Sequence, residues 1–437
     1  ETMNQQQRRF GVVVTVAAVA LALSACSSTT TVSSAGKGDK SNAASYNAKI
    51  TPPTTCGEDL TFDQTDPDHI LKKLPQAVQQ DLATYPYTAR ATPWTSFKKK
   101  KGPWKIGWIS VPVNNPWLVN LNSQLQEEFA AAKKAGLVDG SLSVYIQPST
   151  STSTPEQQAA AISQMVSQGV DGIILFPADS IAEAPAIDAA GKAGVPIVTV
   201  SPAPTSKYAI NLTSNNQSPS YAGTFKLLMD EGIMGSGKEL NAITVRGIAG
   251  VTIEQTYNEM LQADLKPCKG VKNLGTVWGG WNPATTKTEV LKMLAAHPEK
   301  IDLVLQQGSM QAGVIEAFQQ AGRPIPNMPM GGSSGGDMAW WADNTSTFSS
   351  VGAMYSGKQM AWASWQILMR TLDGNGPLVR DFNPAPIKIT NDNVAKFAVP
   401  GTDVTWVGDI NGSKTDWVSA EHLDEYFTKP GSPTDAE

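Results

Sequence analysis

Histidine and cysteine are scarce in this chain, with three of each among 437 residues. The histidines stand far apart at 69, 297 and 422, and the cysteines at 26, 56 and 268. No two of them have the close spacing of a metal-ligating loop. A zinc or iron–sulfur centre is therefore excluded as the organising chemistry, and no metal or cofactor is implied. An excess of one charge is also lacking. Lys and Arg number 34 against 39 Asp and Glu, mixed along the chain, for a net charge of −5. No basic stripe offers itself to nucleic acid. Long apolar runs are missing as well. The run from Phe10 to Leu23 is shorter than the ~20 residues a membrane-spanning helix needs. What remains is a chain that is 41% hydrophobic and 17% charged, long enough for two lobes with buried cores.

The short apolar run has a context. Arg8 and Arg9 precede it, and Leu23-Ser24-Ala25-Cys26 ends it. A positive start, a short apolar stretch and a small-residue end are the marks of an export signal. The tetrapeptide resembles the bacterial lipobox, in which the cysteine is lipidated after cleavage. The expectation is a signal over 1–25, lipidation at Cys26, and a protein held on the outer face of the bacterial cell membrane. Residues 26–50, rich in Ser, Thr, Ala and Gly, read as a flexible tether. In an exported chain Cys56 and Cys268 are expected to form one disulfide, the alternative being two free buried thiols.

Residues 51–103 form an N-terminal extension. Asp66-Pro67 opens a helical pattern of Ile70, Leu71, Leu74, Val78 and Leu82, blemished by Pro75. The extension ends in Lys98–Lys101, read as a solvated linker. From Trp104 a β–α rhythm begins. Strands are expected over Lys105–Val113, Ser143–Ile146, Gly172–Phe176 and Val195–Val200. Helices fall between them, one marked by Trp117, Leu121, Leu125 and Phe129 on a single face. The rhythm repeats from Ala242 to Met330. An unbroken apolar strand such as Gly172–Phe176 suits a sheet covered on both faces. The fold class is α/β, with two doubly wound parallel-sheet lobes. The N-terminal lobe takes 104–213 and 355–382, the C-terminal lobe 214–354 and 383–398, and 399–437 is a C-terminal tail.

Several stretches together carry a family likeness. Asn114-Asn115-Pro116-Trp117 resembles the turn after the first strand of the ribose-binding type of periplasmic binding protein, the type I solute receptors of sugar ABC transporters. The stretch from Asp171 to Asp179 resembles that family's third-strand motif, and Val195-Pro196-Ile197-Val198 its fourth strand. Gly247-Ile248-Ala249-Gly250 and Ala295-Ala296-His297-Pro298 resemble second-lobe motifs. The likeness runs from about Trp104 to Val394. It implies a monomer whose lobes close like a hinge on a small-molecule ligand, and a transporter permease as partner. It implies no enzyme activity.

Carried over position by position, the likeness points to Asn115, Trp117, Phe176, Ser201, Tyr257, Trp281, Gln307, Ser333 and Tyr355 as ligand-binding residues. The departures are informative. Phe176 stands where sugar-binding members carry Asn, Ser201-Pro202 where they carry an Asp-Arg pair, and Tyr257 at an Arg position. Ser333 stands at an Asp position and Met354 at a Gln position. A sugar with every hydroxyl buried would leave several unpaired, at about 1–3 kcal/mol each. The expected ligand is a neutral solute, less hydroxylated or ring-containing.

Two motifs compete. Gly232–Lys238 has the spacing of a phosphate-binding loop, but Glu239 replaces the Ser or Thr that would hold magnesium. Gly331-Gly332-Ser333-Ser334-Gly335 matches a nucleophile elbow, with Asp381 and His422 following in hydrolase order. A secreted serine hydrolase is the rival reading. A receptor that senses without transporting is a further one.

Overall fold

The computed structural model describes residues 50–434 except 59, 63–64, 84–87, 149–154, 201–204, 214–228 and 230–238. The signal, Cys26, the tether, Ser201-Pro202 and Gly232–Lys238 lie outside the described residues.

In chain order the elements are β1 (Ile50–Thr51), β2 (Thr61–Phe62), α1 (Gln76–Asp81), β3 (Ile106–Ser110), α2 (Pro116–Lys134), β4 (Ser143–Ile146), α3 (Pro155–Ser167), β5 (Gly172–Leu175), α4 (Ala184–Lys192), β6 (Ile197–Val200) and β7 (Ala209–Leu212). There follow β8 (Leu240–Arg246), α5 (Thr252–Leu265), β9 (Val271–Trp278), α6 (Pro283–Ala296), β10 (Leu303–Gln306), α7 (Gln311–Gln320), α8 (Gly335–Asp343), β11 (Val351–Met354), α9 (Gly357–Leu372), β12 (Asp381–Phe382), β13 (Ile387–Thr390) and α10 (Ala420–Asp424).

The N-terminal lobe is one sheet in the order β12-β7-β6-β5-β3-β4, parallel at every pairing. Its central strands β3, β5 and β6 are mostly apolar and wholly buried because both faces are covered. On one face Leu118, Leu121 and Leu125 of α2 and α9, buried at every position but Lys358, close the core. On the other, Ile162 and Met165 of α3 and Ile187 of α4 do so. The C-terminal lobe has β10-β8-β9 in parallel. α6, α7 and α8 lie on one side, and α5 on the other. Met330 bridges to Gly352, and β11 pairs antiparallel with β13. The lobe is thus parallel at its centre and mixed at one edge.

The extension corrects its sequence reading. Pro75 does not sit inside one long helix. It ends a short turn over Leu71–Lys73 and precedes α1. The missing amide of proline forbids the continuous ladder. Asp66 does act as a helix-start residue, its carboxylate accepting Ile70 N and Leu71 N at 2.9 and 3.1 Å. The lysine run is not wholly solvated either. Lys99 pairs with Asp373 at 2.5 Å and Lys100 with Asp171 at 3.4 Å.

Residues 399–434 are not a loose tail. Val404 and Ile410 enter the C-terminal lobe's core, and Trp417, Val418, Leu423, Tyr426 and Phe427 enter the N-terminal lobe's core. Cys56 and Cys268 are joined, with sulfurs 1.98 Å apart.

Candidate functional site

In each lobe the strand order reverses beside the first strand, between β3 and β5 and between β8 and β10. Helices leave such a switch point in opposite directions and open a crevice at the carboxyl ends of the strands. The two crevices share one cleft of about 80 Å³. Its N-terminal wall is Val111, Asn115, Trp117, Leu118 and Phe176. The C-terminal wall includes Ile248, Ile253, Tyr257, Trp281, Gln307 and Ser309, and Tyr355 stands between the lobes.

Asn115 caps α2: its side-chain oxygen accepts Leu118 N at 2.9 Å. The Pro116 that follows suits the first helical position. The Asn115 amide nitrogen has no protein partner among the described residues. Trp117 belongs to the buried face of α2 and also to the cleft wall. Its indole N–H donates to Tyr355 O at 3.2 Å. Phe176 and Tyr355 meet its ring edge-on, with centroids 6.1 and 5.9 Å away. Trp417 backs Tyr355 at 5.2 Å. The aromatic wall is thereby held from behind by residues 399–434.

Gln307 is not free to read a ligand. Its oxygen accepts Gly247 N at 2.7 Å, and its nitrogen donates to Glu254 O and Oε1 at 3.2 and 2.9 Å. Glu254 is fully buried, and Arg246 grips both its oxygens at 2.6 and 2.8 Å. The guanidinium carbon lies 4.3 Å from the Trp278 ring. A charge pair is thus consumed behind the wall. The Trp281 ring lies so close to Gly247 that a Cβ there would sit 2.3 Å from it, so only glycine fits. Trp281 and Ser309 both hold positive φ, +52° and +57°. Such strained backbone tends to gather where surrounding structure over-determines it, often at functional sites.

The cleft is bridged at its edge. Asn282 caps α6 with its oxygen on Thr285 N at 3.0 Å, and its nitrogen donates across to Asn114 O at 3.0 Å. Sequence reasoning passed over Asn282, Val111, Ile253 and Ser309. The Asn282-Pro283 pair was the available signal, as a helix start after an aromatic loop.

Asn115, Trp117, Phe176, Tyr257, Trp281, Gln307 and Tyr355 are brought together. Ser333 is not among the lining residues. It is buried, and its hydroxyl accepts Gln311 Nε2 at 2.7 Å. The hydrolase trio is not assembled. Asp381 bonds Asn211 and Arg380, and His422 bonds Asp81. Asp337, beside the serine loop, is pushed up to about 6 by burial. Its carboxylate is used as the cap partner of Ser334. Among the described residues no cluster of His, Cys, Asp and Glu suits a metal ion.

A cleft at facing switch points of two α/β lobes defines a two-lobed binding protein. The profile described as "Periplasmic binding protein domain" matches residues 106–376, and the chain belongs to that family. The ribose import binding protein of Bacillus subtilis is 26% identical over 237 residues, covering 54% of this chain and 71% of that protein. An ABC transporter solute binding protein from Thermobispora bispora superposes with a TM-score of 0.60 at 23% identity, over 76% of this chain and 99% of the other. A 5-methylthioribose transporter solute binding protein from Thermotoga lettingae gives 0.57 at 16% identity, over 69% and 89%.

Proposed function

We propose that this protein is the lipid-anchored solute receptor of an ABC importer, taking a small uncharged ring-containing or sparsely hydroxylated solute. The observation that carries the ligand class is the wall itself. Among the described residues no charged side chain lines the cleft, and five aromatic side chains do, Trp117, Phe176, Tyr257, Trp281 and Tyr355. Asn115 and Trp281 line the cleft, and among the described residues neither the Asn115 amide nitrogen nor the Trp281 indole N–H has a protein partner, so both serve as ligand donors in this reading. They ask for acceptor oxygens such as ether, carbonyl or a few hydroxyls. Flat rings bury the apolar faces of the same molecule. Gln307, the amide best placed to serve further hydroxyls, is already spent on Gly247 and Glu254.

The relatives' names span a wider range, from the fully hydroxylated ribose and xylitol to the less polar 5-methylthioribose, and only the last falls within the proposed class. A ligand touching both walls binds the closed arrangement better than the open one and shifts the population toward it. A permease that contacts both lobes reads that shift. Cys26 supplies the anchor in this reading.

The test is a thermal-shift screen of the chain from Ser27 with pentoses, hexoses, polyols, nucleosides and small aromatic rings. Stabilisation follows RT ln(1 + [L]/Kd), about 2.7 kcal/mol at a hundredfold excess over Kd. Shifts confined to the less polar rings support the proposal. A hit among common pentoses or hexoses overturns the ligand class and leaves the receptor. Silence across the panel, with protein shown folded and ligand-free, overturns both.

A further inference from the structure

Two stretches outside the matched family region each touch both lobes. The first is the extension. Cys56 is bonded to Cys268, which follows α5 in the C-terminal lobe. A little further along the chain, Leu74, Val78, Leu82 and Trp94 are buried in the core of the N-terminal lobe. Trp94 Nε1 donates to Tyr208 O at 2.7 Å, and Arg380 N to Arg90 O at 2.9 Å. The second stretch is 399–427. It starts against α8, where a Cβ on Gly335 would sit 2.5 Å from Val399 and one on Gly336 would sit 2.3 Å from Asp403 O. It then reaches the N-terminal lobe. Asn120 of α2 donates to Val407 O at 3.0 Å. Lys358 of α9 donates from its backbone to Asp409 at 2.9 Å, and from Nζ to Ile410 O and Gly412 O at 3.0 and 2.8 Å. The stretch ends with Tyr426 and Phe427 in the N-terminal core.

We propose that these two segments are straps that limit how far the lobes separate, and that the Cys56–Cys268 bond is the pin of the first. Hinge closure in a two-lobed receptor depends on a few crossing segments that absorb the φ/ψ change. Each strap adds a further crossing, fixed at both ends, so its length caps the opening. A capped hinge keeps a larger fraction of empty molecules near the binding-competent arrangement. Apparent affinity rises by that fraction, because Kd,app equals the intrinsic Kd divided by it. Removing the pin frees one end of the first strap while its other end stays in the N-terminal core.

Small-angle X-ray scattering of the ligand-free protein tests this without needing a ligand, so its outcome is independent of the binding proposal. Oxidised wild type, reduced wild type, the double variant Cys56→Ser/Cys268→Ser and Lys358→Ala are compared, with circular dichroism as the check on folding. The expected result is an increase in radius of gyration on reduction and in the double variant. Its scale is on the order of 1 Å, against ~22 Å for a compact chain of this size. Lys358→Ala adds to that increase when combined with reduction. Superimposable curves for the oxidised and reduced forms overturn the proposal. Loss of the dichroism signal on reduction overturns it too, since the bond would then hold the fold rather than the spacing of the lobes.

Discussion

Gln307 shows how a residue type is legible while its role is not. Its position marked it as a ligand-reading amide, yet the folded chain uses both halves of that amide internally. Gln307→Ala should lower unfolding free energy by about 1–3 kcal/mol by orphaning the Gly247 N–H and one Glu254 bond, read from the denaturant midpoint. Glu183 is a second such residue. Burial pushes its carboxyl up to about 8, although Ala178 N and Asp179 N both donate to Oε1 at 3.0 and 3.1 Å. Because the folded-state value lies above the unfolded one, the stability tied to this group is fully present below about 4.5. It is lost as pH rises toward 8. Glu183→Gln should therefore melt above wild type at pH 8.5 and lose that advantage at pH 5. A parallel pH dependence of the two melting curves would contradict the assignment. Nothing in the sequence marked Glu183, because burial depends on which loop folds over it.

Among the elements, the long periodic ones were the readable ones. The stripe of Trp117, Leu121, Leu125 and Phe129 reads as a helix because its period repeats over several turns, and all four are buried. Strand β7 was missed. Ala209-Ile210-Asn211-Leu212 is short and carries a polar residue, which is satisfied only by Thr199 and Asp381 on neighbouring strands. A buried Asn with partners distant in sequence looks like a loop until the sheet forms. Asn282 belongs to this scale because one side chain caps a helix and joins two lobes. Asn282→Asp keeps the capping oxygen and loses the donor to Asn114 O. It should melt with wild type yet give a smaller ligand-induced shift in the thermal screen. Asn282→Ala should also lose stability, about 1 kcal/mol for the cap. Equal ligand shifts in Asn282→Asp and wild type would remove the cross-cleft bond from the binding account.

Across the whole molecule, the two-lobed plan was legible because alternating strands and helices leave few topologies. The packing of both terminal segments was not. Their apolar residues are spread too thinly to show a period, and their partners lie hundreds of positions away. His422 in α10 bonds Asp81 in α1 at 2.7 Å, and Tyr426 bonds the same carboxylate at 2.6 Å. The Asp81 hydrogen bond raises the His422 pKa, against the opposing effect of burial. A raised histidine contributes stability that is present below about 6.5 and lost as pH rises through its folded-state value. His422→Gln should flatten the melting-temperature profile on the alkaline side of neutrality. An unchanged profile would show that the imidazole is not coupled to folding.

The same contact sets a constraint on biosynthesis. Asp81 and Tyr426 are 345 positions apart. A polypeptide emerging from the ribosome carries an unfinished first lobe until residues 417–427 have been added. Its core has no Trp417, Leu423, Tyr426 or Phe427 to close against Phe382. A chain whose first lobe closes only once residue 427 is in place stays unfolded, and so threadable, for longer than one whose lobes close in turn.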